Sequence, residues 1–148
     1  MLRRNLAVLA ASMAASLVLA ACDSTPAPVA AAAPKPPAEP RTFSLFFASG
    51  STRLSPQAMT LVEEAAAAAK ARPNARIACV GQTDTAGAAA YNLVLSRRRA
   101  EAVRDALVAQ GIPRESITVS GRGEEELSVK TRDNISESQN RRVEVTVH

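Results

Sequence analysis

The placement of proline decides where this chain can build a core. Six of its nine prolines, Pro26, Pro28, Pro34, Pro36, Pro37 and Pro40, lie before Arg41. Interleaved with alanine, they favour polyproline II backbone, which rises about 3.1 Å per residue and buries nothing. One folded unit is therefore expected over residues 42–148, roughly a hundred residues around a single core. Aromatic residues are only 3% of the chain, so that core must come from Leu, Val, Ile and Ala.

Local patterns within 42–148 alternate between strand and helix. Phe43 to Phe47 reads as a first strand, rich in strand formers. Ser55-Pro56 is a helix start, with serine as N-cap and proline at the first helical position. Ala58, Leu61, Val62, Ala65 and Ala69 then fall at the spacing of one buried helix face, which leaves Glu63 and Glu64 wet. Pro73-Asn74 breaks that helix. Arg76 to Val80 is a second strand that enters a turn at Gly81, and the free Cys79 within it reads as a core residue. A second helix is expected over Tyr91 to Gln110, with Leu95, Ala102, Val103 and Ala106 as its apolar stripe and Gly111 as its C-terminal stop. Ile117 to Ser120 is a third strand. Gly121 to Asn140 reads as a polar loop with room for a short helix after Asn134, and Gly87, Gly121 and Gly123 read as turn devices. Val143 to Val147 alternates as a half-buried last strand. The order β-α-β-α-β-(loop or short helix)-β predicts an α/β two-layer sandwich, with helices packed on a small mixed sheet.

Residues 1–21 read as an export signal: Arg3 and Arg4 precede an apolar stretch, Leu6 to Leu19. That stretch falls short of the about 20 apolar residues of a membrane span. It ends in Leu19-Ala20-Ala21-Cys22, which resembles the bacterial lipobox. The resemblance makes Cys22 the first mature residue, acylated on sulfur and amine. Each buried methylene contributes about 0.8 kcal/mol, so two or three acyl chains hold firmly where one is marginal. Residues 22–41 are then the lipidated cysteine and a tether spanning on the order of 50 Å. Family resemblance favours the outer membrane. Asp23 leaves the inner membrane open, because an Asp after the acylated Cys is an inner-membrane retention signal in enteric bacteria.

The blocks that carry function lie further on. Gly81-Gln82-Thr83-Asp84-Thr85-Ala86-Gly87 is followed by Tyr91-Asn92, Leu95-Ser96, Arg99-Ala100 and Val103. Gly121-Arg122-Gly123-Glu124 and Asn140-Arg141-Arg142-Val143-Glu144 come downstream. Together, over residues 42–148, they resemble the OmpA-like peptidoglycan-associated domain. Two positions depart from its usual pattern: Gln82 stands where an aromatic or His is frequent, and the first loop is Ala48-Ser49-Gly50-Ser51. The resemblance implies non-catalytic, non-covalent binding of peptidoglycan through diaminopimelate, with Asp84 and Arg99 holding its zwitterionic end. Asn92 and Arg142 match further motif positions in a supporting role. The residues agree with this chemistry. Asp84 follows a strand end, and Asn92, Ser96 and Arg99 share one helix face at i, i+4 and i+7. A carboxylate for the ammonium and a planar guanidinium for the carboxylate are matching partners. A plainer alternative is that Asp84 and Arg99 pair with each other and only tie loop to helix.

Other function classes find little support. Without Arg3 and Arg4, sixteen basic residues stand against fourteen acidic ones, too even for a nucleic-acid binder. The only histidine is His148, and no Cys/His/Asp cluster has metal-ligand spacing. Neither metal nor other cofactor is expected. Ser49-Gly50-Ser51 has no evident base, so no catalytic machinery is legible. The remaining rival is an interaction module for other envelope proteins, with a vestigial wall-binding groove.

Overall fold

The computed structural model describes residues 39–148. The expected signal (1–21), Cys22, Asp23 and the 22–41 tether up to residue 38 lie outside the described residues.

Six regular elements alternate as expected: β1 (Arg41–Phe46), α1 (Pro56–Lys70), β2 (Ile77–Gln82), α2 (Ala89–Ala109), β3 (Ile117–Gly123) and β4 (Arg142–Val147). Short 3₁₀ turns occupy Arg114–Ser116 and Ser138–Asn140. The sheet order is β1-β4-β2-β3. β4 lies antiparallel between β1 and β2, and β2 pairs parallel with β3. The expected α/β sandwich with a small mixed sheet is what forms.

The helix signals act as their chemistry requires. Ser55 Oγ accepts from the Ala58 amide at 3.1 Å, with Pro56 at the first helical position. At the end of α2, Gly111 takes φ +87°. That turn lets Gly111 N–H reach Val108 O (2.8 Å) and Ile112 N–H reach Leu107 O (3.1 Å), a Schellman closure over buried Ile112. One face of the sheet carries Ile77, Cys79, Val143, Val145 and Val147 into a core shared with Val62, Ala65, Ala69, Val103 and Leu107. The core is aliphatic as expected. Cys79 belongs to it, and burial pushes its thiol up to about 12, so it stays protonated and unreactive.

Three local expectations are corrected. β2 does not turn at Gly81, and β3 runs on to Gly123 rather than becoming loop at Gly121. Gly81 and Gly121 are not turn residues: they pair across β2 and β3, beneath α2. A Cβ at Gly81 would collide with the Ser96 backbone carbonyl, and one at Gly121 would lie 2.5 Å from Ser96 Oγ and 2.7 Å from Arg97 N. The glycines exist so that α2 can sit directly on the strands. Beyond them the register slips, pairing Gln82 with Gly123 and leaving Arg122 as a bulge. The buried face of α2 is also rotated from the apolar stripe. It is Asn92, Leu95, Ser96, Arg99, Ala100, Val103 and Leu107, while Ala102 and Ala106 are only half-buried.

A methyl group at the glycine seat overpacks this contact. Gly81→Ala is expected to lower unfolding stability by about 1–3 kcal/mol. Denaturant midpoints at unchanged slope would measure it, and an unchanged midpoint would contradict the close α2 approach.

Candidate functional site

Every polar residue buried in α2 lies in its first three turns, over the ends of β2 and β3. Ser96, fully buried, donates to Leu93 O at 2.7 Å and accepts from Gly123 N–H at 3.0 Å. Asn92 is also buried, and its Nδ2 reaches Asp84 O (3.3 Å), Ala86 O (3.2 Å) and Glu124 Oε2 (2.8 Å). It therefore clamps the loop after β2 to the segment after β3. Arg99, one turn deeper, is 0% exposed. A buried guanidinium must have its N–H groups met, and backbone carbonyls do this. Nε donates to Ser51 O at 2.8 Å, Nη2 to Ala48 O at 2.9 Å and Nη1 to Gln82 O at 3.4 Å. Its plane lies over the Phe47 ring at 5.3 Å. Three of five N–H donors are thus used, leaving one on each Nη. Burial pushes Arg99 down to about 10 against the upward pull of Asp84, so it stays a cation at neutral pH.

Asp84 stands just past β2, beyond a Thr83 N–H bonded to Gly123 O at 2.7 Å. Its Oδ2 accepts from Arg141 Nη1 (3.0 Å), Ser136 Oγ (3.1 Å) and Glu137 N–H (3.1 Å). Burial alone would raise the carboxyl. The hydrogen bonds from Arg141, Glu137 and Ser136 outweigh it and hold Asp84 below its ordinary 3.8. None of these bonds uses Oδ1. Thr85 continues the seam: its hydroxyl donates to Arg132 O at 2.7 Å and accepts from Ile135 N–H at 3.1 Å.

The structure thus gathers Asp84, Asn92 and Arg99 at one end of the sheet. The plainer alternative for the central pair does not hold: among the described residues no ion pair joins Asp84 to Arg99. The Ala48–Ser51 loop encloses the Arg99 guanidinium. Arg142 is not brought to this cluster. Its guanidinium grips Glu144 Oε1 through Nε and Nη2 at 2.9 and 2.8 Å and reaches Gln139 O at 3.4 Å. The neighbour, Arg141, meets Asp84 and also bonds Phe47 O at 3.1 Å. Arg142 opens β4, whereas Arg141 lies in the bend before it, and their guanidinium groups go to different partners. Ser136 and Arg141 were missed by sequence reasoning; the Asn140-Arg141-Arg142 block held the signal but not its phase. Arg97 and Arg98 are exposed, and Arg97 pairs with Glu101 at 3.3 Å. Among the described residues, no group of His, Cys, Asp or Glu could hold a metal ion. None of their helices is long and apolar enough to cross a membrane.

Comparison with known proteins follows the same outline. The OmpA family model matches residues 46–141. An outer membrane protein of Gluconacetobacter diazotrophicus is 37% identical over 118 residues, covering 76% of this chain and 31% of that one. A peptidoglycan-associated lipoprotein of Pseudomonas putida is 37% identical over 102 residues, covering 69% of this chain and 61% of its own. The chain spans between about a third and three-fifths of the length of four curated relatives it matches. Among solved structures, the peptidoglycan-associated lipoprotein of Burkholderia pseudomallei superposes with TM-score 0.66 at 32% identity, covering 71% of this chain and 89% of that one. The periplasmic domain of Helicobacter pylori MotB shares the fold, with TM-score 0.60 at 20% identity over 72% of this chain and 74% of its own.

The Asp84 carboxylate has a definite acid signature. Its folded-state pKa lies below the unfolded value of about 3.9. The stability it contributes is complete above that pH and is lost as pH falls through the folded value. Asp84→Asn is expected to be less stable than wild type at pH 7, with the gap closing below about pH 4. Denaturation midpoints across that range test the sign.

Proposed function

The chain belongs to the OmpA family, and from that premise we propose that it binds peptidoglycan non-covalently, without catalysis, through the diaminopimelate of the stem peptide. Relatives named as peptidoglycan-associated lipoproteins support the cell envelope as its place of work. The main support from geometry is the Asp84 carboxylate, ionised at neutral pH, with no hydrogen bond to Oδ1 among the described residues, Arg141 on Oδ2 and the charge of Arg99 within its field. Oδ1 takes the ligand ammonium. The ligand carboxylate meets the two remaining N–H donors of Arg99 once the Ala48–Ser51 loop yields, with Arg141 adjacent. Asn92 acts by fixing the loop that carries Asp84. Arg141 takes the supporting role that sequence assigned to Arg142.

At the other end of the molecule, acylated Cys22 anchors the chain, and the tether lets the domain reach the wall. The outer membrane is the favoured site. Replacing the cysteine tests this part alone: metabolic labelling with palmitate is expected to mark the wild type and not Cys22→Ser. Wild type left unlabelled, or a serine variant labelled equally, would refute the acyl anchor.

Sedimentation with isolated peptidoglycan tests the binding site. Wild type is expected in the pellet and to be released by free diaminopimelate. Asp84→Ala is expected to lose more than tenfold in affinity, since removing one partner of a desolvated charge pair costs about 2–5 kcal/mol. Arg99→Ala should do the same, with circular dichroism confirming that it folds. Wild type left in the supernatant would defeat wall binding and favour a protein-interaction module. Variants that sediment as wild type does would defeat the site.

A further inference from the structure

Beside the wall-binding cluster, α2 carries a second stripe. Tyr91, Val94, Leu95 and Arg98 are spaced i, i+3, i+4 and i+7, so they share a helix face next to the one that bears Asn92, Ser96 and Arg99. This face borders a cleft of about 370 Å³ whose other lining residues are Gly50 and Thr52. Those two flank Ser51, whose carbonyl holds Arg99 Nε at 2.8 Å. A charge on the Tyr91 phenol is felt at Arg99. The cleft is therefore continuous with the candidate site: one loop both covers Arg99 and walls the cleft.

The lining is of two kinds. Tyr91 and Val94 are 55% and 51% exposed, and exposed apolar side chains taken singly are ordinary. Here they adjoin a cation that no protein group uses. Arg97 pairs with Glu101, but among the described residues Arg98 joins no ion pair. A guanidinium at the edge of a partly apolar cleft suits a carboxylate carried on methylenes. The stem peptide of the cell wall has that chemistry next to diaminopimelate. Its glutamate is linked through the γ-carboxyl, leaves the α-carboxylate free and puts two methylenes between them. We propose that the cleft is an outer subsite for this γ-linked glutamate, with Arg98 meeting the α-carboxylate and Tyr91 and Val94 covering the methylenes. The subsite rests on the reading that Asp84 and Arg99 hold diaminopimelate, and it selects the stem peptide over the free amino acid.

Isothermal titration calorimetry of the full chain in detergent tests this with two synthetic peptides. One is L-alanyl-γ-D-glutamyl-diaminopimelate; the other is the same peptide with the glutamate α-carboxylate amidated. Wild type is expected to prefer the carboxylate form about fivefold, the upper range of an exposed ion pair, and added salt should shrink that preference. Arg98→Gln alters an exposed side chain and is expected to bind both peptides equally, as wild type binds the amidated one. Equal binding of the two peptides by wild type, or a preference that survives in Arg98→Gln, overturns the subsite and leaves the diaminopimelate site standing. Failure of wild type to bind either peptide, or Asp84→Ala binding them as tightly as wild type, overturns both.

Discussion

A buried positive charge organises one end of this molecule. The Arg99 guanidinium has no solvent exposure and is held by the carbonyls of Ala48, Ser51 and Gln82. Those carbonyls belong to the loop after β1 and to the end of β2, so one side chain on α2 ties three elements together. Taking a cation out of water costs several kcal/mol unless its donors are met, so the loop adopts whatever path presents its carbonyls. The negative field of Asp84 holds the charge in place against burial. The shape of the candidate site is therefore a consequence of satisfying this one group.

That arrangement needs α2 at close range, and close range needs the absence of side chains beneath it. Gly81 and Gly121, paired across β2 and β3, leave room for the Ser96 backbone and hydroxyl. With α2 seated there, Asn92, Ser96 and Arg99 face inward over the strand ends. The polar half of α2 is buried by the same contact that gives the domain its packing.

The two oxygens of Asp84 divide their work. Oδ2 holds Ser136, Glu137 and Arg141, and so pins the segment before β4 across the loop after β2. In the proposed binding mode Oδ1 is the oxygen that meets the ligand. Loss of this carboxylate releases that segment whatever it does to binding, so stability and affinity must be measured on the same variants.

The sequence by itself determined the element order, the aliphatic core, the serine start of α1, the glycine stop of α2 and the family. It also placed Asp84 after a strand and Asn92, Ser96 and Arg99 on one helix face. These are properties of spacing and local backbone preference, and they need no knowledge of what lies opposite. Tertiary structure alone decided what those side chains touch. An apolar count could not find the whole buried face of α2, because three of its inner positions, Asn92, Ser96 and Arg99, are polar and are buried over a glycine seat. Nor could it tell Arg141 from Arg142, since Arg141 lies in the bend before β4, and its direction is set by the path of the segment that precedes the strand. That Arg99 spends its donors on carbonyls of a loop about fifty residues earlier in the chain was likewise invisible, because a buried charge takes its partners from the fold and not from its sequence neighbours.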